Sequence, residues 1–380
     1  MKTLAKILST LLVISMMLTL CACHSKDETA LTIENEKITS ALYLNALIDC
    51  DTEAKQRVDD QIAAEKEANK TENSEETEET EETDYYAQTI DGLSFTEYVK
   101  EKTIDRCKEF IFYKKLVSDG TIKLDDTKRN EAESYAQSYW SQYGYAYLYE
   151  PNGVSFETYK EAFTYSYYSN EYFNHLYSEG GEKEVPKDDI KNNLLENYAL
   201  AHVLTATYEE NATDAQKAEH KTKLEGYVTR LNAGESFEKI YLEHNQINEA
   251  EHKHEETEDG PKVQHASILA DKNSKTSYAN ADFDNVYDLK TGETLIVENE
   301  AKTAITLYVK LDIASDEYYL KNLTDTILYE MKEKEFQDFV NEKTKDYKVE
   351  TNKFAIKRFK VEKIDYSVLE SAYASQAQAQ

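Results

Sequence analysis

The chain has 380 residues, 40% apolar and 31% charged, with a formal net charge of −30. That length has room for two or three domains with cores of their own and excludes a chain disordered throughout. So anionic a surface repels phosphate backbones, which argues against a nucleic-acid partner, and 3 prolines against 30 tyrosines favour aromatic helix packing over a Pro/Gly-punctuated sandwich.

The first residues have the form of an export signal. Lys2 and Lys6 supply a positive start, Ile7 to Leu20 an apolar stretch, and Leu20-Cys21-Ala22-Cys23 a small-residue end. A transmembrane anchor needs roughly 20 apolar residues, and this run is shorter and lacks a positive stop-transfer flank. The segment resembles the lipobox of bacterial lipoproteins. That resemblance implies a signal peptide over residues 1–22, acylation of Cys23 as the first mature residue, and a chain lipid-anchored outside the cytoplasmic membrane. Cys50 and Cys107 then remain. An oxidising compartment permits a disulfide between them, and apolar packing on helices is the alternative.

Ala30 to Ile33 reads as a strand, Glu34-Asn35-Glu36 as a turn, and Ser40 to Ala64 as a helix with Leu44, Leu47 and Ile48 on its apolar face. Residues 65–84, rich in repeated Glu-Glu-Thr, have no apolar face and predict a solvated, disordered linker. A divalent-cation site there would lack preorganisation. Ser94 predicts the cap of a helix carrying Phe95, Val99, Phe110 and Ile111, ending near Gly120. A second helix starts around Asp125 and carries Tyr135, Tyr139, Trp140 and Tyr143; beyond Gly144 the alternation of Tyr145, Tyr147 and Tyr149 leaves helix and extended chain both open. Pro151-Asn152-Gly153 predicts a turn, and Ser155 caps a helix with Phe156, Tyr159, Phe163 and Tyr167.

These rings admit two roles. They can form a helical core with hydroxyls at the rim, or part of them can line an open cleft for apolar segments of another protein. Tyr139, Trp140, Tyr143, Tyr159, Phe163 and Tyr167 are the candidate client-binding residues.

Gly180-Gly181 breaks this region, and Pro186 opens a helix. Leu200 to Leu204, interrupted by His202, suits a buried strand. Thr213 with Gln216 forms a capping-box pattern, Leu224, Tyr227, Val228 and Leu231 give one buried stripe, Gly234 ends the helix, and Ser236 caps the next. The segment after His244 is polar and predicts a loop, with a strand over Val263 to Leu269. Phe283 to Leu289 reads as a short helix or turn, Leu295 to Val297 and Ala304 to Ile313 as strands, and Leu320 to Val340 as an amphipathic helix. Tyr347 to Thr351 predicts a last strand, and residues 367–380 a disordered tail. The late helix lacks a full core of its own and is expected to dock on the N-terminal helices.

Ala201-His202-Val203-Leu204, Leu231 to Phe237 and Phe283 to Gly292 occur in that order, and together they resemble a parvulin-type peptidyl-prolyl isomerase domain. With the lipoprotein start and the flanking helices, the chain resembles foldases of the PrsA and SurA type. The resemblance implies an α+β protein. Residues 23–198 and 314–366 would build a mainly helical, SurA-like chaperone domain, the later segment docking on the earlier, with a parvulin-like domain inserted at 199–313. It also implies His202 as the catalytic residue, no cofactor, and unfolded or nascent secreted proteins as partners. The parvulin pattern has a second active-site histidine in a late strand, but Ala304 to Val309 carries none. The Gly-Gly-Asp-Leu-Gly segment is also absent, which implies weak or absent isomerase activity. Twisting a peptide bond over its barrier of about 18–20 kcal/mol needs preorganised polar groups around the amide, more than His202 alone supplies.

A different class of function, a zinc-binding surface lipoprotein, would use His244, His252, His254 and His265 in the acidic loop. An exposed, solubilising loop explains the same residues.

Overall fold

The computed structural model describes residues 28–69, 83–209, 211–248, 256–257, 260–261, 267–272, 284–299, 301–315 and 317–377. The elements in order are β1 (Thr29–Ile33), β2 (Glu36–Thr39), α1 (Ser40–Asn69), β3 (Thr89–Ile90), β4 (Leu93–Ser94), α2 (Phe95–Ser118), α3 (Asp126–Ser141), α4 (Ala146–Tyr149), α5 (Phe156–Tyr177) and α6 (Lys187–Asn197). Then come β5 (Tyr198–Thr207), α7 (Asp214–Asn232), α8 (Phe237–His244), β6 (Glu256–Thr257), β7 (Gly260–Pro261), β8 (Ser267–Asp271), α9 (Asp284–Tyr287), β9 (Thr294–Glu298), β10 (Ala304–Lys310), α10 (Glu317–Thr344), β11 (Val349–Thr351), α11 (Lys353–Ile356) and α12 (Ser367–Ala377). The fold class is α+β. Two compact units divide it: residues 1–176 with 334–380, and Tyr177–Glu333.

The helical unit joins the two ends of the chain. β1 and β2 form a hairpin whose turn residues Glu34 and Asn35 take positive φ, the geometry of a tight two-residue connection. β11 adds to the other edge of β1, with Leu31 opposite Thr351 and Ile33 opposite Val349. Asn352 secures this junction by donating through Nδ2 to the Thr29 carbonyl at 2.9 Å. Leu31, Ile33, Leu47, Ile48, Phe95, Ile111 and Val361 share one core. Cys50 and Cys107 lie in it as free thiols, and burial raises the pKa of both, so they pack as apolar residues.

Caps set several helix starts. Ser94 and Glu97 form a reciprocal capping box on α2, and Asp125 accepts from the Lys128 amide at the start of α3.

In two places the structure differs from expectation, and in a third it decides between alternatives. Residues 65–69 continue α1 instead of opening a linker, because Glu, Lys and Ala favour helix even without an apolar face; residues 70–82 of that segment lie outside the described residues. Of the two conformations open to Tyr145, Tyr147 and Tyr149, the chain takes the helical one: Ala146–Tyr149 is a helical turn, entered through Gly144 at φ +79°. Residues 367–377 of the expected tail form α12, and Leu369 packs against the helical core, which gives an Ala/Ser/Gln-rich helix a docking side.

The second unit is built on an antiparallel sheet in the order β8-β5-β10-β9. Side chains alternate across it. Leu204, Ala206, Ile305 and Leu307 pack with Leu224, Tyr227 and Ile240 of α7 and α8, while Ala199, Ala201 and Tyr308 pack with Val286 of α9. Thr213 and Gln216 form the capping box of α7. Gly234, at φ +89°, turns the chain towards α8, and Arg230 clamps the turn by donating to Glu235 at 2.7 Å and Glu243 at 2.7 Å. The Val263–Leu269 strand appears as β8 from Ser267 onward, residues 263–266 lying outside the described residues.

Candidate functional site

Each unit carries one candidate site. In the sheet unit, the alternation of β5 puts His202 on the same side as Leu204 and Ala206, facing α7 and α8. Phe237, the first residue of α8, stacks on its imidazole with ring centroids 4.0 Å apart and planes 6° from parallel. On β8, Ser267 is the register partner of His202, and its Oγ lies 2.8 Å from Nδ1. Burial lowers the pKa from 6.5 to about 4, so the ring is neutral at physiological pH. On the opposite neighbour, β10, the residue in register is Val309, where no imidazole can join it. His202 is therefore a neutral ring held by one hydroxyl and one aromatic face, and across the β5–β10 pair its register partner is the apolar Val309.

The depressed pKa has a measurable consequence. Between pH 6.5 and about 4 the unfolded chain binds the His202 proton while the folded chain does not, so this group's contribution to stability falls as pH falls through that window. NMR titration of the His202 ring is expected to show its midpoint near pH 4; a midpoint near 6.5 would show that the ring is not buried.

The loop after α3, together with α4, α1 and α12, lines an open pocket of 320 Å³ in the helical unit. Helical spacing brings Asp49, Thr52 and Glu53 onto one face of α1, and Tyr143, Tyr145, Leu148, Tyr149, Leu369 and Tyr373 supply the rest of the wall. Tyr149 donates its hydroxyl to Asp49 Oδ1, and Asn45 donates through Nδ2 to Asp49 Oδ2 at 2.8 Å. Desolvation raises the Asp49 pKa from 3.8 to about 6, against the opposing effect of the Tyr149 hydrogen bond. Glu53 is tied to Arg106 at 2.9 Å. On the other side of α1, Asp51 accepts from the Tyr366 hydroxyl at 2.6 Å and from Lys55 at 3.0 Å, which fixes the chain leading into α12.

The six candidate client-binding residues separate by burial. Trp140, 7% exposed, and Tyr159 are core residues; Trp140 packs on Tyr149, Phe156 and Tyr159 at 6.2, 5.6 and 5.3 Å. Tyr139, Phe163 and Tyr167 are half-buried in a continuous row of ring contacts. Tyr143 is 62% exposed and alone of the six lines the pocket. The sequence reading missed Asp49, Tyr149 and Tyr373. Asp49 carried a signal, a carboxylate set between Ile48 and Cys50 in an apolar stretch; Tyr373 carried none, lying in a low-complexity segment.

The chain is similar in structure to several solved foldases and chaperones. The PrsA foldase of Streptococcus pneumoniae matches 68% of this chain and 92% of its own at 14% identity and a TM-score of 0.35. PrsA of Bacillus subtilis matches 65% and 84% at 17% identity and a TM-score of 0.30. A structure from a pair of SurA-like chaperones of Campylobacter jejuni matches 85% and 98% at 12% identity and a TM-score of 0.25. No family profile matches the sequence, and no curated protein matches it. At such identities no residue role transfers to this chain.

Cys23 lies outside the described residues, as do His252, His254 and His265. His244 is described: its Nε2 lies 3.0 Å from the Thr205 carbonyl. Among the described residues no group of three His, Cys, Asp or Glu side chains could hold a metal ion, and no helix is long and apolar enough to cross a membrane.

Proposed function

We propose that the protein is an extracytoplasmic chaperone, lipid-anchored through Cys23, that holds unfolded exported chains and has little or no prolyl isomerase activity. The observation that carries this reading is the exposed aromatic surface of the helical unit. Tyr135, Tyr143, Tyr145 and Tyr147 are all exposed around the end of α3 and α4, where amphipathic rings can take up apolar segments reversibly. Capture of the unfolded state suppresses aggregation by mass action. His202, engaged by Ser267 and Phe237 and faced by Val309, supports the low-activity part. A twisting prolyl amide needs polar groups preorganised around it, and among the described residues this environment offers one neutral ring and the Ser267 hydroxyl.

A paired assay on the mature protein tests the proposal. Suppression of aggregation of an unfolded client is expected without acceleration of a proline-limited refolding reaction. Acceleration that disappears in His202→Ala would reinstate an isomerase, and failure to suppress aggregation would end the chaperone reading.

A further inference from the structure

The pocket beside α4 has a composition that an apolar capture surface does not require. At 320 Å³ it lies at the small end of the range of about 300–1,000 Å³ for ligand sites, so it holds one side chain and not an extended segment. Its lining includes Tyr143, Tyr145, Tyr149 and Tyr373 together with Asp49 and Glu53, and among the described residues no Lys or Arg lines it. The two carboxylates are not equivalent. Glu53 is hydrogen-bonded to Arg106, whereas the hydrogen-bond donors to Asp49 are the neutral Tyr149 hydroxyl and Asn45 amide, the nearby Arg106 charge acting on it as well. A carboxylate has about four lone-pair directions, so acceptor capacity remains at Asp49. Aromatic faces attract cations through their quadrupole, and a desolvated anion between such faces adds a charge-assisted hydrogen bond.

We propose that this pocket binds the cationic side chain of a lysine or arginine in an unfolded client segment, with Asp49 as its counter-ion and the tyrosines as its cage. The inference rests on the chaperone reading and narrows it to a substrate class, segments in which a basic residue interrupts an apolar stretch. Charge complementarity selects this occupant, since a net charge of −30 draws basic chains and repels acidic ones.

The chain has a single tryptophan, and Trp140 stacks on Tyr149 of the pocket wall at 6.2 Å, which gives a fluorescence reporter. The probes are the capped peptide Gly-Gly-Lys-Gly-Gly, its uncharged norleucine counterpart, and tetramethylammonium chloride. The lysine peptide is expected to bind about tenfold more tightly than the norleucine peptide, from one charge-assisted contact plus cation–π attraction. Asp49→Asn should abolish that preference. Tyr143→Ala, at an exposed position, should weaken it about threefold while leaving the fold intact.

Equal affinity of the two peptides for the wild-type protein, or an undiminished preference in Asp49→Asn, would overturn the proposal. Binding of tetramethylammonium in preference to the lysine peptide would overturn it too, by assigning the cage to a quaternary amine headgroup. Aggregation suppression of a client free of Lys and Arg is measured in parallel. If suppression persists without a lysine preference, only this inference fails; a lysine preference without suppression would remove the chaperone reading and leave the pocket.

Discussion

Asp49→Asn is expected to make the helical unit more stable at neutral pH, by about 3 kcal/mol, from a pKa difference of roughly two units at about 1.36 kcal/mol each. The folded state raises the Asp49 pKa from 3.8 to about 6 by desolvation. Between those values the folded chain keeps the proton and the unfolded chain does not, so this group's contribution to stability falls as pH rises through the window. Above about pH 6 the full cost of a charge in this half-buried site is present. Asparagine removes the charge and keeps the shape. Its carbonyl can still accept from Tyr149, and rotation of the Asn45 amide would offer the Asn45 Oδ1, which is buried without a partner, to the new Nδ2.

Urea denaturation of both proteins at about pH 7 and about pH 4 is the measurement, with the gain present at the first and absent at the second. His202 drives stability the other way in acid, but it is common to both proteins and cancels in the difference. Equal stability at neutral pH would show that Asp49 is solvated. A gain in stability together with loss of lysine-peptide binding would place Asp49 among sites where a protein retains a local cost for function.

What the sequence disclosed depended on how local each determinant is. Ser94 with Glu97, Asp125, Thr213 with Gln216, and Ser236 each act within one turn, so their caps could be read and are present. The strand at Thr29–Ile33 and its turn were legible for the same reason. Its pairing with Val349–Thr351 joins residues more than 300 positions apart, and no local pattern sets that register. The Tyr145–Tyr149 run stayed ambiguous because its alternation is a property of composition. Gly144 and the following helical turn decide its geometry, and a Cβ at Gly144 would come within 3.1 Å of the Tyr147 ring. The pocket was the least legible feature, since α1, the α3–α4 connection and α12 bring it together from three distant segments. At the sheet site, His202 was legible, while Ser267 and Phe237 as its partners required the β5–β8 register and the turn at Gly234.

Trp140→Ala is expected to be the most damaging single substitution considered, costing about 3–5 kcal/mol as a large buried aromatic removed from a packed core. Trp140 is 7% exposed and surrounded by Tyr149, Phe156 and Tyr159, rings held by α4 and α5. Little in that arrangement can collapse into the space, so a cavity term adds to the lost transfer energy. Tyr143→Ala, three residues away, should change stability by no more than about 0.5 kcal/mol, because its ring is largely in solvent. The two variants therefore separate structural from client-contacting roles within one aromatic row. Urea denaturation followed by far-UV circular dichroism reads the first effect without needing the tryptophan, and aggregation suppression at a temperature where both proteins remain folded reads the second. Tyr143→Ala should weaken suppression while keeping its midpoint, and Trp140→Phe should recover most of the stability lost in Trp140→Ala. If Trp140→Ala instead keeps the wild-type midpoint and loses suppression, Trp140 is a contact surface, and the core assigned around it is wrong.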